Sequence, residues 1–134
     1  HHPRAITMTL EAAKKRFPNS KVWCIFQPHT YSRTKELLGE FARSFKSADK
    51  VIITDIYASA REKESTITGS DLAQEIKPFQ GQVKFINDHS KIIQELVDNI
   101  EGPTVVITMG AGDIYKLAQN ILENFRKVKD EENK

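Results

Sequence analysis

The sequence predicts an α/β fold, a Rossmann-like doubly wound, mostly parallel sheet with helices on both faces. Three observations carry that expectation. Four short runs rich in Val and Ile, at 21–28, 51–56, 83–86 and 104–109, are near-continuously apolar, the pattern of strands covered on both faces. Segments with helical spacing separate them, so strand and helix alternate along the chain and imply right-handed crossovers. The polar residues follow the strands: "QPHTYSRT" after the first, "TDIYASAREKE" after the second, "NDHS" after the third and "TMGAGDI" after the fourth. That places the chemistry of the chain along one edge of the sheet, beyond the carboxyl ends of the strands, where ligands of such folds bind.

Each element has its own reason. Helix 3–17 sets Ile6, Leu10, Ala13 and Phe17 on one stripe, with Pro3 in the first turn, where its missing N–H is harmless. The first strand carries the one cysteine, Cys24, within "KVWCIF", where it reads as a small buried core residue. Helix 31–45 brings Leu37, Leu38, Phe41 and Phe45 together. The segment 58–69, "ASAREKESTITG", has no core-facing pattern and is long for a compact domain, as functional loops often are; its charges from Arg61 to Glu64 read as a solvated face. A weaker helix follows at 70–77. Helix 90–100, with Ser90 as its N-cap, presents Ile92, Ile93, Leu96, Val97 and Ile100. Helix 113–128 presents Ile114, Leu117, Ala118, Ile121, Leu122, Phe125 and Val128, and the chain ends in a charged tail, "KDEENK".

Composition narrows the function classes. A chain of 134 residues makes one domain with a real core, and 39% hydrophobic with 28% charged residues marks a folded, soluble protein. Twenty basic against 18 acidic residues, a net charge of +2, lacks the basic excess of a nucleic-acid binder. No apolar run approaches the roughly 20 residues that span a membrane, and "HHPRAITMTL" has no signal-peptide core. A single cysteine forms no internal disulfide, so a reducing cytoplasm is expected. His1, His2, His29 and His89 lack metal-ligand spacing, and no zinc or other metal site is expected. Neither G-x-x-x-x-G-K-[ST] nor G-x-S-x-G occurs, so the chain cannot cradle a triphosphate in the P-loop manner and shows no serine-hydrolase elbow.

Three segments remain as candidates. In "QPHTYSRT" the N–H groups opening a helix suit an anion, Arg33 offers a planar fork for a carboxylate or phosphate, and His29 leaves the strand for the cleft. Equally, Thr30 or Ser32 simply caps the helix and Arg33 pairs with a surface acid. In "TMGAGDIYKL", Gly110 and Gly112 sit between strand and helix. Tyr115 stands where a dinucleotide fingerprint needs its third glycine, so a tight turn capped by Asp113 is the stronger reading, with close approach of another segment or a substrate the alternative. In "TDIYASAREKE", Asp55 ends a strand, where a carboxylate suits an amine, a ribose or a metal, with Tyr57 and Arg61 beyond it.

"HHP" opening a helix, "FQPHTYSRT", "DIYASAREKE" and "MGAGDI" occur in an order that resembles the C-terminal domain of the UDP-N-acetylmuramate–L-alanine ligase family, a branch of the Mur ligases, over essentially the whole chain. The resemblance implies that residues 1–134 are a single Mur ligase C-terminal domain, with the N-terminal UDP-sugar domain and the central ATPase domain outside this chain. It implies a cytoplasmic bacterial enzyme of peptidoglycan synthesis that joins L-alanine to UDP-N-acetylmuramate at the expense of ATP, through an acyl phosphate attacked by the alanine amine. ATP and Mg2+ would be held mainly by the missing central domain, and the isolated domain would be inactive, without catalytic residues of its own. The opening "HHP" then reads as part of the family motif and not as a tag remnant. Position by position, His1 and Arg33 match residues at the carboxylate end of the alanylated product, His29 the histidine beside them, and His2 a cofactor-side position. Asp55, Tyr57, Gly110, Gly112 and Asp113 match cleft segments expected to shape the alanine pocket. Thr30 departs from the pattern, since members often carry a second arginine there. Two other readings share the fold class. A receiver-type signalling domain needs paired acids at the end of its first strand, where this chain has Gln27, Pro28 and His29. A free-standing nucleotide-binding module would bind ATP without partner domains.

Overall fold

The heptapeptide KVWCIFQ forms the central strand, β1 (Lys21–Gln27), because both of its faces are covered. Val22, Cys24 and Phe26 point to one side and pack with Ile6, Leu10, Phe41, Phe45, Leu72 and Ile76. Trp23 and Ile25 point to the other and pack with Ile92, Leu96, Ile114, Leu117 and Ile121. The computed structural model describes residues 2–57, 67–110 and 112–132, with side chains described as far as residue 127. Around β1 the chain runs α1 (Pro3–Arg16), β1, α2 (Tyr31–Glu36), α3 (Leu38–Ala42), β2 (Lys50–Ile53), α4 (Gly69–Ile76), β3 (Val83–Phe85), α5 (His89–Asn99), β4 (Thr104–Gly110) and α6 (Ile114–Glu132).

The sheet is wholly parallel among the described residues, in the order β3-β2-β1-β4. Helices α1, α3 and α4 supply the first core layer and α5 and α6 the second, so the expected doubly wound α/β architecture is what the chain adopts. The chain steps outward from β1 to β3, then returns to place β4 on the free side of β1, creating the switch point between β1 and β4.

Burial departs from the sequence reading at the edges. β1 and β2 are covered on both faces, but every residue of β4 is only half-buried, and Lys84 and Phe85 of β3 are exposed. Strand order explains this, since β3 and β4 are the two outer strands. The expected helix 31–45 is two helices broken at Leu37 (φ −101°, ψ 16°). Its first six residues offer the core only Thr34, whose hydroxyl donates to the Thr30 carbonyl at 2.7 Å, a backbone-directed bond that bends helices; the apolar stripe begins at Leu37. Asp88, not Ser90, caps α5: its Oδ1 accepts the Ser90 N–H at 2.9 Å and the Ser90 hydroxyl at 2.6 Å. α4 begins at Gly69 on a capping box in which Thr68 Oγ1 accepts the Asp71 N–H at 3.1 Å and Asp71 Oδ2 accepts the Thr68 N–H at 2.9 Å. The polar loop expected at 58–69, with Arg61 and its neighbouring charges, lies largely outside the described residues. Among those described, no helix is long and apolar enough to cross a membrane.

At the amino ends of the strands, Glu95 ties α5 to the sheet, with Oε1 accepting from Lys50 Nζ at 2.5 Å and Lys84 Nζ at 2.8 Å. Lys50 also lies 4.5 Å from the centre of the Trp23 ring. The hydrogen bonds to the two lysines outweigh burial and hold the Glu95 carboxyl below its ordinary value of 4.5. A carboxylate with a depressed folded value contributes stability that is present above 4.5 and lost as pH falls through the folded value. Glu95→Gln should therefore lower stability at pH 7 by about 1–3 kcal/mol, and urea unfolding should show the difference from the parent protein shrinking as pH falls below 4.5. Burial pushes the Cys24 thiol up to about 12. At pH 8 Cys24 should resist iodoacetamide in the folded protein and react rapidly once guanidinium unfolds it.

Candidate functional site

The carboxyl ends of β1, β2 and β4 converge on one edge, and a single residue ties their loops together. Gln27 pairs with Gly110 in the last step of the β1–β4 register. Beyond the sheet, the chain leaving β1 stays zipped to the chain leaving β2: the Tyr57 N–H donates to the Pro28 carbonyl at 2.8 Å, and the Thr30 N–H donates to the Tyr57 carbonyl at 2.9 Å. His29 and Tyr57 form an isolated parallel bridge, with their rings stacked at 6.1 Å and 26°.

Thr30 then turns the chain at φ 61° and ψ 142°, the one described non-glycine residue with positive φ. A β-branched residue pays about 1–3 kcal/mol for such a conformation and holds it only where surrounding bonds over-determine it. Here they do. Besides the bond to Tyr57, Thr30 Oγ1 accepts the Arg33 N–H at 3.3 Å. The Thr30 carbonyl accepts the Thr34 N–H at 3.2 Å and the hydroxyl of fully buried Thr34 at 2.7 Å. Of the two capping candidates, Thr30 is therefore the cap of α2.

This turn delivers Arg33 into a hollow of about 330 Å³ lined by His2, Ser32, Arg33, Glu36 and Leu37. Arg33 Nε is buried there without a hydrogen-bond partner. A buried donor left unpaired costs about 1–3 kcal/mol. Gln27 Oε1, at the end of β1, is also buried and unpaired. His2 caps α1, its Nδ1 accepting the Arg4 N–H at 3.3 Å, and its ring borders the same hollow. His1 lies outside the described residues.

The glycines serve close approach. Gly110 has φ 129°, and a Cβ there would lie 2.1 Å from the Gln27 carbonyl oxygen. Gly112 has φ 72°, and its Cβ would lie 2.5 Å from Cδ2 of Tyr57. A chain segment, β1 in one case and Tyr57 in the other, occupies the space that a side chain would fill. Asp113 is exposed and its carbonyl accepts the Lys116 N–H at 2.9 Å as α6 begins. Asp55 is a brace: Oδ1 accepts the N–H of Ile56 at 2.9 Å and of Gly69 at 3.3 Å, while its own N–H donates to Asn87 Oδ1 at 3.1 Å.

Of the residues singled out in the sequence, the structure therefore brings His29, Tyr57 and Gly112 together, sets Arg33 with His2 in the adjoining hollow, and uses Asp55 to join the end of β2 to α4. The sequence reading missed the strain at Thr30, the unpaired amide oxygen of Gln27 and the Asn87 contact. The Thr68–Asp71 box was legible as a T-x-x-D signature. Among the described residues, no three His, Cys, Asp or Glu side chains gather in a way that could hold a metal ion.

Residues 1–112 match the family model described as Mur ligase, glutamate ligase domain. The chain belongs to the Mur ligase family. It is 52% identical over 122 residues to the UDP-N-acetylmuramate–L-alanine ligase of Alkaliphilus metalliredigens, covering 91% of this chain and 26% of that protein. It is 50% identical over 128 residues to the ligase of the same name from Caldanaerobacter subterraneus, covering 95% and 27%. The crystal structure of UDP-N-acetylmuramate-alanine ligase MurC from Thermotoga maritima superposes with a TM-score of 0.72 at 27% identity, covering 96% of this chain and 25% of that one. The chain thus spans about a quarter of the length of these relatives, and the Mur ligase resemblance drawn from "FQPHTYSRT" and "MGAGDI" holds.

The strain at Thr30 is testable on this Mur ligase domain alone. Thr30→Gly should melt within a few degrees of the parent or above it, because relief of about 1–3 kcal/mol of strain offsets the lost cap. Thr30→Val keeps the strain and loses the cap, and should destabilise by about 1 kcal/mol in urea unfolding.

Proposed function

We propose that this chain is the C-terminal domain of a ligase that joins L-alanine to UDP-N-acetylmuramate in the bacterial cytoplasm, acting with N-terminal and central domains that lie outside it. The names of relatives at 52% and 50% identity support the reaction. The observation that carries the domain's role is Arg33, whose buried Nε has no partner beside a turn fixed by Thr30. A guanidinium held there suits the carboxylate of L-alanine or of the alanylated product.

ATP and Mg2+ supply the activation of the lactyl carboxylate when bound. The residues of this chain fit only the border of such a site: there is no P-loop in the sequence and no acidic cluster among the described residues, while His2 lines the hollow beside Arg33. The domain's own work is positioning. Arg33 holds the amino acid by its carboxylate, His29 flanks it, and closing of the domain would bring the amine to the activated carboxyl and exclude water. A site for a methyl side chain discriminates by excluding bulk more than by attraction.

In the full-length ligase, Arg33→Ala should raise the KM for L-alanine about 10- to 100-fold and leave the KM for the UDP-sugar within about twofold, with Arg33→Lys intermediate. Unchanged alanine kinetics would remove Arg33 from the site. Isothermal titration of this chain with ATP decides against the free-standing nucleotide module if no heat is measurable; micromolar binding would favour that module.

A further inference from the structure

We propose that Tyr57 is a positioning residue for L-alanine, coupling the Gly110–Gly112 turn to the His29–Arg33 loop through its ring. This deepens the ligase reading and rests on it for the identity of the substrate. The observations are independent of that reading.

Tyr57 is 45% exposed, so burial of its ring is not what fixes its place. Its backbone is fixed instead: the N–H bonds Pro28 and the carbonyl bonds Thr30, on either side of His29. From that fixed backbone the ring reaches two segments. It stacks on His29 at 6.1 Å, and it approaches the Gly112 backbone so closely that a Cβ there would lie 2.5 Å from Cδ2, 2.8 Å from Cγ and 3.0 Å from Cε2. Three neighbouring atoms of one flat ring at these distances describe a face laid against the turn. Displacement of that turn by a substrate or by domain closure is therefore delivered to Tyr57, and through its backbone bonds to Pro28 and to the strained Thr30, at the start of the helix that carries Arg33. The ring transmits by shape, which a phenylalanine reproduces and a leucine does not. The phenolic hydroxyl has no part in the coupling.

Four variants of the full-length ligase test this. Tyr57→Leu should raise the KM for L-alanine about tenfold while the KM values for ATP and the UDP-sugar stay within about twofold. Tyr57→Phe should stay near the parent on all three. Gly112→Ala should resemble Tyr57→Leu, and the double variant Gly112→Ala/Tyr57→Leu should be no worse than Gly112→Ala alone, since both substitutions break the same contact between the flat ring and Gly112. Unchanged alanine kinetics in Tyr57→Leu, an equal rise in all three KM values, or losses that add in the double variant would overturn the proposal. If the parent enzyme shows no alanine-dependent ATP cleavage, the ligase reading fails, and melting temperatures of the same four proteins decide the coupling. A double variant that melts at or above Gly112→Ala supports it, and additive losses overturn it.

Discussion

The constraint on which this edge of the molecule depends is the conformation of Thr30. A threonine at φ 61° is held against its own sterics, and four hydrogen bonds, one to Tyr57 and three within the first turn of α2, hold it there. With an ordinary extended backbone at this position, β1 would continue past the sheet, and α2 would not start where it does. The bend takes the chain out of the sheet plane within one residue, so His29 stays beside the chain leaving β2 while Arg33 turns back toward the start of α1. The strain is compatible with a stable domain because it sits on a frame that is not strained: Phe26, a few residues earlier, lies 5.6 Å from Phe41 and 5.4 Å from Phe45 in a fully packed layer.

That frame was readable from the sequence because it rests on burial and periodicity, which are local in the chain. The runs around Val22–Phe26 and Val51–Ile53 announced strands, and the stripes Ile6–Leu10–Ala13 and Ile92–Leu96 announced the helices that cover them. The same reasoning misjudged β4, because an apolar run shows what a strand is made of and not where it lies in the sheet. Thr104–Gly110 is as apolar as β1, yet its place at the end of the order leaves it half-buried. The break at Leu37 escaped for a related reason. Leu37, Leu38, Phe41 and Phe45 form a stripe whether or not the helix before them is continuous.

The site was legible in its residue types and not in its geometry. "QPHTYSRT" displayed a cap, an arginine and a histidine, and the structure gives the cap to Thr30 while Arg33 keeps a buried, unpaired Nε. No local pattern could show that Tyr57, 27 positions after Thr30, would bond it, or that Gly112 would have to lack a side chain because of that same tyrosine. These are contacts between segments, decided by the sheet order that brings the ends of β1, β2 and β4 together.

The three loops at the edge have divided the work. Asp55, the carboxylate with the most inviting position, commits one oxygen to the N–H groups of Ile56 and Gly69 and thereby fixes the end of β2 against α4. The glycine turn after β4 contributes closeness, not charge, and its partner is a tyrosine. Arg33 is different in kind, because its neighbours line a hollow and leave its Nε unpaired. A fold that invests its acid in bracing and leaves a buried guanidinium nitrogen unsatisfied bears a standing cost. On the proposed function that cost would be useful: the free domain would be slightly frustrated at one point, and the carboxylate of the substrate would relieve it.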